Sequence, residues 1–360
     1  PMHHAPGTIV GDGSGYVNAG PVINTDANQA FETIQAAVDD PQTEDLHTVI
    51  ICPGEHVENV QVSKSLTLRA FGAREETVLR AVSSTQPVLE TQEEMTVIEG
   101  LTLRGAHRSW GVWAGRGVTL RDCSVIDNES GIHSADGSFA ADGVIVEDNH
   151  GPAVVVSSLD DLGLKDIHIL NNGEDGLRMV VGPAGSGLAA GLRLRGTDNR
   201  IANNGGDGIR AVSGQVILEG STRIVGNGGW GIKADEGSIT ISDGAVYSVT
   251  ANGGGGLYAA DGISLPPGFA VERNRGPGIV VWSGGDTRLE GVRVRHNRGV
   301  GIGVVVTGNA GGAPVPGLIL EGDGNQIVNN GGDGIVASPG SVTINGETEV
   351  FGNGGWGIVA

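Results

Sequence analysis

Cationic side chains and flat rings recur at matched places along this sequence. One series comprises Arg121, Lys165 and Arg195, with Arg193 standing two residues before the last member. A second series follows a recurring Gly-aliphatic step and comprises Trp113, His133, Arg178, Arg210, Lys233 and Tyr258. Guanidinium and ammonium groups pair with carboxylates, and aromatic rings stack on flat apolar faces. Both series therefore predict contacts with an acidic sugar chain.

An explanation without a ligand also fits these side chains, because exposed arginine and aromatic residues are common on β-strands. The formal net charge of the chain is −20, yet the first series concentrates its cations before residue 200. A chain this acidic argues against general binding of nucleic acid or of an anionic membrane surface. The local excess of cations is therefore the clearest indication of function in the sequence.

The composition narrows the class of protein. The chain has 64 glycines among 360 residues without a strict glycine triplet, which excludes collagen, and its 38% of hydrophobic residues is too high for a disordered chain. The longest uncharged stretch, residues 299–320, contains Pro314, Pro316 and many glycines, so it is a poor membrane helix. The sequence predicts no membrane insertion.

A unit of about 23 residues repeats through most of the chain. Its marker is an asparagine with an aliphatic residue five places later, and successive markers lie 22 to 33 residues apart. A valine or isoleucine stands three places before every marker, which favours strands over helices. The marker asparagines are Asn149, Asn172, Asn204, Asn227, Asn252, Asn274, Asn297, Asn330 and Asn353.

Repeated short strands without a helical period predict a coiled chain. Each strand would stack on its counterpart one turn later, about 4.8 Å away, which describes a parallel β-helix. An asparagine at a fixed turn position tolerates left-handed backbone, and its amide can bond the equivalent amide in the next coil. The sequence therefore predicts an asparagine ladder along the coil.

The opening coils resemble those of a known group. The segments that carry the resemblance are FETIQAAV at 31–38, VIICPGEH at 49–56 and VSKSLTLR at 62–69. They look like the start of pectin-lyase-like right-handed β-helix proteins, a group that includes polysaccharide lyases, pectin esterases, epimerases and many uncharacterised surface proteins. The resemblance covers nearly the whole chain for fold and implies a helix that caps the first coil. Phe31, Ile34 and Val38 have the spacing of its apolar face.

The expected fold is all-β, a single-stranded right-handed parallel β-helix (a solenoid) with a short N-terminal capping helix. We expect an N-terminal cap over residues 1–45 and the parallel β-helix over residues 46–360. Within the β-helix, about 151–234 recurs as about 276–360, so that GNGGWGI surrounds both Trp230 and Trp356. No capping segment follows the last coil, and end-to-end self-association through its strand edges is a further expectation.

The resemblance also implies a cleft on the face of the first strand of each coil. Lyases and epimerases of uronates remove a proton next to a carboxylate, which needs a base and a cation that neutralises the carboxylate. Lys165 suits the base, Arg193 or Arg195 the neutralising cation, and Arg121 the contact with a neighbouring uronate. The carboxylate signatures of polygalacturonases, pectate lyases and pectin esterases have no match, so whether the protein is an enzyme stays open.

No cofactor or metal site can be identified in the sequence. Asp-Gly pairs such as Asp207-Gly208 lack the period of calcium-binding β-rolls. Calcium is kept as a candidate because lyases that this chain resembles often use it. The leading hypothesis is a secreted or cell-surface protein that binds an acidic polysaccharide and cleaves or epimerises it. The alternative is a non-catalytic surface spacer or adhesin module of a larger repeat protein.

Overall fold

The computed structural model describes residues 20–157, 162–180, 191–242, 247–307 and 316–360. They form two compact units, unit 1 within Pro1–Ser158 and unit 2 within Leu159–Ala360. Both units are built almost entirely of short strands that stack in parallel from coil to coil. Within the described ranges, no helix is long and apolar enough to cross a membrane.

Unit 1 contains a short helix, α1 (Ile34–Asp39), that follows the first two strands. The strands of unit 1 are β1 (Val22–Asn24), β2 (Gln29–Phe31), β3 (Thr48–Ile51), β4 (Gly54–Val57), β5 (Val60–Val62), β6 (Thr67–Ala70), β7 (Thr77–Arg80), β8 (Leu89–Thr91), β9 (Val97–Glu99), β10 (Thr102–Arg104), β11 (Trp110–Ala114), β12 (Val118–Arg121), β13 (Ser124–Ile126), β14 (Ser130–Ser134), β15 (Phe139–Asp142), β16 (Ile145–Glu147) and β17 (Val154–Val156).

Three sheets run through unit 1 because every third strand stacks on its counterpart. The first sheet contains β3, β6, β9, β12 and β15, the second β4, β7, β10, β13 and β16, and the third β5, β8, β11, β14 and β17. The first two strands depart from this order, since β1 pairs antiparallel with both β2 and β3. Alternate residues face the core, as in the fully buried row Val49, Leu68, Ile98 and Leu120 of the first sheet.

The helix α1 begins after Thr33, which has extended backbone. The Thr33 side chain accepts a hydrogen bond from the backbone N–H of Ala36 at 3.1 Å. The carboxylate of Glu58 accepts two more at 2.9 Å each, from the N–H groups of Ile34 and Gln35. A negative group at this end also suits the positive end of the helix dipole.

One face of α1 is buried through Ile34, Ala37 and Val38. The expectation that Phe31 joins this face is wrong. Phe31 is the last residue of β2 and is half-buried there, paired with Val22 of β1. The physical reason is the cap at Thr33, which delays the first helical residue until Ile34.

Unit 2 consists of strands throughout its described residues. They are β18 (Leu162–Lys165), β19 (His168–Leu170), β20 (Leu177–Met179), β21 (Gly191–Arg195), β22 (Asn199–Ala202), β23 (Ile209–Ala211), β24 (Gln215–Leu218), β25 (Thr222–Val225), β26 (Trp230–Ala234), β27 (Ile239–Ile241), β28 (Tyr247–Thr250), β29 (Gly255–Ala259), β30 (Ile263–Ser264), β31 (Ala270–Glu272), β32 (Ile279–Ser283), β33 (Thr287–Glu290), β34 (Arg293–Arg295), β35 (Ile302–Val306), β36 (Gly317–Glu321), β37 (Asn325–Val328), β38 (Ile335–Ala337), β39 (Ser341–Asn345), β40 (Thr348–Phe351) and β41 (Ile358–Val359).

The strands of unit 2 stack in the same way as those of unit 1. The first sheet contains β18, β21, β24, β27 and β30, while β33, β36 and β39 form a separate sheet. The second sheet contains β19, β22, β25, β28, β31, β34, β37 and β40, and the third contains β20, β23, β26, β29, β32, β35, β38 and β41. The branched residues three places before the marker asparagines line the core of the second sheet, where Ile201, Ile224 and Val294 are almost fully buried.

The predicted asparagine ladder is confirmed in both units. In unit 2 the side-chain N–H of Asn227 donates to Oδ1 of Asn252 at 3.1 Å, and Asn252 repeats the bond to Asn274 at 3.0 Å. In unit 1 the same bond joins Asn128 to Asn149 at 3.2 Å. These amides are at most 2% exposed, so the ladder supplies hydrogen bonds inside the protein where water cannot.

Candidate functional site

The second series of cations and rings forms a row on the outer face of the third sheet of unit 2. Arg178, Arg210, Lys233 and Tyr258 are successive register partners on β20, β23, β26 and β29. The residues that flank them in each strand face the core, so the strand alternation turns this row outward. The structure therefore brings these four side chains together as their spacing predicts.

An aromatic pair and two cations meet near the middle of this row. The ring centroids of Trp230 and Tyr258 are 5.7 Å apart at an angle of 58°. The Lys233 ammonium lies 5.8 Å from the centre of the Tyr258 ring. Asp235 pairs with both cations, at 2.8 Å from Lys233 and 3.0 Å from Arg210. We call these five residues the Trp230 site.

The charges and exposure of the Trp230 site suit an anionic ligand that also has a flat face. Lys233 and Arg210 share the carboxylate of Asp235, and the nearby charge of the buried Asp207 also acts on both, so their positive charge is partly compensated. Trp230 and Tyr258 are half-buried and offer part of their rings to solvent. Rings of this kind stack on sugar faces, while the cations can meet a carboxylate.

The backbone around Trp230 holds its ring in place. The indole covers Gly255 in the following coil, and a Cβ atom at Gly255 would overlap the Trp230 ring. The backbone N–H of Trp230 donates to Oδ1 of Asp207 at 2.6 Å. Trp230 thus has a packing role as well as an exposed ring, and the two sequence series did not include it.

Three aspartate side chains accept hydrogen bonds from the backbone of the coil that follows them. Oδ1 of Asp175 accepts a hydrogen bond from the N–H of Asp207 at 2.8 Å, and Asp207 does the same for Trp230. Asp333 repeats the arrangement for Trp356 at 2.6 Å. These Asp-Gly pairs therefore have a structural role that needs no metal ion.

Replacing Asp207 by asparagine should stabilise the protein at neutral pH. Burial raises the pKa of Asp207, and the nearby charge of Asp175 adds to the effect. Because the pKa of Asp207 is raised in the folded state, its contribution to stability is fully present below the ordinary aspartate pKa of about 3.9. That contribution is lost as the pH rises through the raised pKa. Asp207→Asn keeps an acceptor oxygen for Trp230 without the charge, so we expect a higher melting temperature near pH 7. Melting curves at acidic pH should show a smaller gain, and an equal gain at both pH values would contradict this account.

Arg178, the remaining cation of the row, is neutralised by neighbouring carboxylates. Arg178 pairs with Asp175 at 2.8 Å and with Glu174 at 3.8 Å. The Asp175 side chain is buried, so this ion pair is partly shielded from water. Arg178 therefore borders the Trp230 site as a neutralised group.

The predicted catalytic residues lie on the first sheet of unit 2. Lys165 and Arg195 are register partners, and Arg193 projects from the same strand as Arg195. Glu219 accepts hydrogen bonds from Arg193 at 2.8 Å and Arg195 at 2.7 Å, and its pKa is lowered, chiefly by the hydrogen bond from Arg195. Lys165 lies 3.8 Å from Asp166. A uronate carboxylate at this place would have to compete with Glu219 for both arginines.

Unit 1 carries its own ring cluster on the third sheet. The His133 ring lies 5.0 Å from that of Trp110 and 5.9 Å from that of Trp113, and it is nearly parallel to Trp113. Burial lowers the pKa of His133, so its ring is mainly neutral at pH 7.

Glu90 is the register partner of Trp113 on the other side and borders a cavity of about 410 Å³ that polar side chains line. Asp39 and Glu90 in this lining suit a neutral ligand better than an anionic one.

Arg121 stands between two carboxylates rather than in a basic patch. Its register partners on the first sheet of unit 1 are Glu99 and Asp142. Glu99 also pairs with Arg69 at 3.0 Å, so the row alternates in charge along the sheet. The sequence series omitted Asp142, which is the next residue of this row.

The described ranges contain no group of three or more His, Cys, Asp or Glu side chains arranged to hold a metal ion. The calcium candidate thus has no ligand set among them.

The chain is similar to a known family model and to a cell-surface protein. Residues 195–360 match the family model described as right handed beta helix region. A cell surface glycoprotein of Methanothermus fervidus is 32% identical over 115 residues, which are 32% of this chain and 18% of that protein. The chain therefore spans less than a fifth of this relative's length.

Two solved structures resemble the chain at low sequence identity. The A-module of a mannuronan C-5 epimerase from Azotobacter vinelandii is 17% identical with a TM-score of 0.50, over 91% of this chain and 93% of that one. The catalytic unit of an α-1,3-glucanase from Streptomyces thermodiastaticus is 14% identical with a TM-score of 0.42, over 86% of this chain and 63% of that one. The stacked parallel strands and the asparagine ladder show that the chain has the right-handed parallel β-helix fold, and the family match of residues 195–360 agrees with that fold.

Proposed function

We propose that this protein binds an acidic polysaccharide at the secreted or cell-surface location where such polymers occur. The observation that carries the proposal is the Trp230 site, where Trp230 and Tyr258 adjoin the partly compensated cations Lys233 and Arg210. The rings would stack on a sugar face, and the cations would pair with its carboxylate. The fold likeness to the mannuronan C-5 epimerase module and the match to a cell surface glycoprotein support this assignment.

Arg178 would contribute at the edge of this site, and Trp113, His133 and Arg121 would make separate contacts in unit 1. Trp113 and His133 offer stacked rings, while Arg121 is exposed between two acidic register partners. We propose for these residues the binding roles that their spacing predicts, with Lys233 and Tyr258 as the main contacts.

Lyase or epimerase activity is a separate proposal that rests on Lys165, Arg193 and Arg195. Lys165 would remove the proton next to the uronate carboxylate, and the arginines would neutralise that carboxylate after it displaces Glu219. In a lyase the glycosidic C4–O bond would then break and the leaving oxygen would take a proton from water, whereas in an epimerase water would return a proton to the opposite face of the same carbon. The competing function is a non-catalytic surface module, which the match to a cell surface glycoprotein favours.

Titration of the whole chain with two polymers tests the binding proposal. We expect affinity for sodium polygalacturonate to exceed affinity for a neutral glucan of equal length by about tenfold, because only the uronate polymer offers carboxylates. Equal affinity for both polymers, or no affinity for either, would overturn the proposal. The same samples, read by ultraviolet absorbance for unsaturated uronates, separate a lyase from a binding module. Lys165→Ala should abolish any such product while binding persists.

A further inference from the structure

The second sheet of unit 2 carries a dense group of cations on two neighbouring coils, those of Asn274 and Asn297. Arg293 and Arg295 belong to β34, and the others lie in the turns next to the two asparagines. All are exposed except Arg295, which is half-buried. We call this group the arginine surface: Arg273, Arg275, Arg293, Arg295, His296 and Arg298.

Little negative charge compensates the arginine surface. Glu272 pairs with Arg295 at 2.7 Å and approaches Arg273 at 4.0 Å. In the part of the chain that the structure describes, no carboxylate lies within 4.0 Å of the guanidinium groups of Arg275, Arg293 or Arg298. This positive charge stands in a chain whose formal net charge is −20. Solubility alone does not call for such a group, since the rest of the surface is acidic.

The backbone at Arg273 and His296 adds independent support. Both residues have left-handed backbone, with φ of 56° and 57°. That conformation is unfavourable for arginine, whereas glycine and asparagine tolerate it best and histidine is less unfavourable there than most side chains. Most other coils of unit 2 have one of those two residues in the same place: Asn171, Asn203, Gly226, Asn329 and Gly352. The fold therefore does not require a cation there, and strain retained at such positions points to function.

The position directly after the ladder asparagine also differs between these two coils and the other coils of unit 2. Arg275 and Arg298 occupy it in the two coils of the arginine surface. The backbone N–H groups of both still bond to the preceding coil, at 2.8 Å to Asn252 and 2.9 Å to Asn274. The other coils of unit 2 have glycine in this place: Gly173, Gly205, Gly228, Gly253, Gly331 and Gly354. Two coils have thus exchanged the residues of the standard turn for cations.

We propose that the arginine surface binds carboxylates of an acidic polysaccharide. The inference rests on the proposed function and gives the polymer a second contact area in unit 2, beginning on the coil after Tyr258. All five charged residues other than His296 are arginine, whose planar guanidinium matches the two oxygens of a carboxylate. A single-stranded nucleic acid would use large aromatic side chains for its bases, and the arginine surface has no Phe, Tyr or Trp.

A triple variant tests the arginine surface without disturbing the coil. Arg293→Gln and Arg298→Gly introduce the residues that Gln326 and Gly331 provide in the next coil, and Arg273→Asn introduces the residue that Asn329 provides two coils later. The fold should therefore be kept, and Arg273→Asn should relieve left-handed strain. The matched control is Arg80→Gln, Arg104→Gln and Arg288→Gln, which removes the same charge from salt bridges elsewhere.

Titration with sodium polygalacturonate measures the effect. We expect the triple variant to bind about tenfold more weakly, since each of three exposed charge pairs contributes about a twofold factor. Its affinity should also depend less on salt, whereas the control variant should match the native chain. Equal loss in both triple variants would overturn the inference.

Parallel titrations separate this inference from the proposed function. Tighter binding of a single-stranded oligonucleotide or a sulfated polysaccharide than of polygalacturonate would overturn the choice of ligand. If the native chain binds polygalacturonate and the triple variant binds it equally well, this inference fails while the proposed function stands. If Trp230→Ala leaves affinity unchanged and the triple variant lowers it, the Trp230 site fails and the arginine surface stands.

Discussion

Asn252→Ala is expected to lower the free energy of unfolding by about 4 kcal/mol, the largest stability effect of a single substitution considered for this chain. Oδ1 of Asn252 accepts hydrogen bonds from the backbone N–H and the side-chain N–H of Asn227, both at 3.1 Å. The Asn252 side chain in turn donates to Asn274 at 3.0 Å. Alanine would leave buried donors of Asn227 and an acceptor of Asn274 with fewer partners, which costs about 1–3 kcal/mol for each group left without a bond.

Chemical denaturation followed by circular dichroism measures this loss. Ser248→Ala is a suitable control because Ser248 belongs to the same coil, faces outward on the second sheet and is half-buried. We expect the control to change the free energy of unfolding by less than about 0.5 kcal/mol. A loss below about 1 kcal/mol for Asn252→Ala would mean that the ladder contributes little beyond the strands.

Joint replacement of Trp230 and Tyr258 by alanine should weaken binding of polygalacturonate about fiftyfold, equivalent to about 2.3 kcal/mol. The two rings are 5.7 Å apart and provide the flat surface of the Trp230 site. Aromatic residues of this kind commonly dominate binding energy, because they bury apolar area with little loss of side-chain freedom. Affinity is measured by calorimetric titration of the whole chain.

Trp282→Ala provides the matched control for the loss of a ring. Trp282 lies on the third sheet of the same unit and is 42% exposed, but no cation or second ring accompanies it among the described residues. Its replacement should leave affinity unchanged. Because the Trp230 ring also covers Gly255, Lys233→Gln serves as a second test of the site that leaves this packing intact. An unaltered affinity in both the double variant and Lys233→Gln would contradict the assignment.

The fold could be predicted because its signals repeat. A side chain that must bond its own counterpart in the next coil has to recur at the coil period, and the marker asparagines do so. Asn128 does not fit the marker pattern, because Ile132 follows it by four residues rather than five. Its side chain nevertheless donates to Asn149 as the other ladder asparagines do to theirs. Phe31 was misplaced for a different reason, since the spacing of apolar residues does not show where a capping residue starts the helix.

The register of the second series was predictable, but the charge around it was not. The row from Arg178 to Tyr258 follows from strand spacing alone. The carboxylates that neutralise these cations lie at positions that the strand spacing does not mark. Asp235, for example, follows the end of β26 and pairs with Arg210 and Lys233. Asp142 was missed because FAAD in β15 lacks the branched residues that mark the other strands.

The arginine surface did leave a signal in the sequence. VERNRG and VRVRHNRG, residues 271–276 and 292–299, bring five arginines into two coils of an acidic chain. Aligning these segments on Asn274 and Asn297 shows that they replace residues that other coils keep as glycine or asparagine. The register of β31 and β34 then places Arg295 beside Glu272 and stacks the two cationic turns, which the sequence alone could not establish.

Lysine labelling offers the most direct test of where an acidic polysaccharide binds. The lysines of the sequence are Lys64, Lys165 and Lys233, and they occupy three different settings. Lys64 donates to backbone carbonyls beside α1, Lys165 lies on the first sheet of unit 2, and Lys233 belongs to the Trp230 site. A uronate oligosaccharide with some carboxylates activated as N-hydroxysuccinimide esters would couple to the amine it reaches, and peptide mass spectrometry would locate the adduct. Our account predicts an adduct mainly on Lys233, and excess polygalacturonate should suppress it. Equal labelling of all three lysines, or labelling mainly of Lys165 or Lys64, would contradict the account.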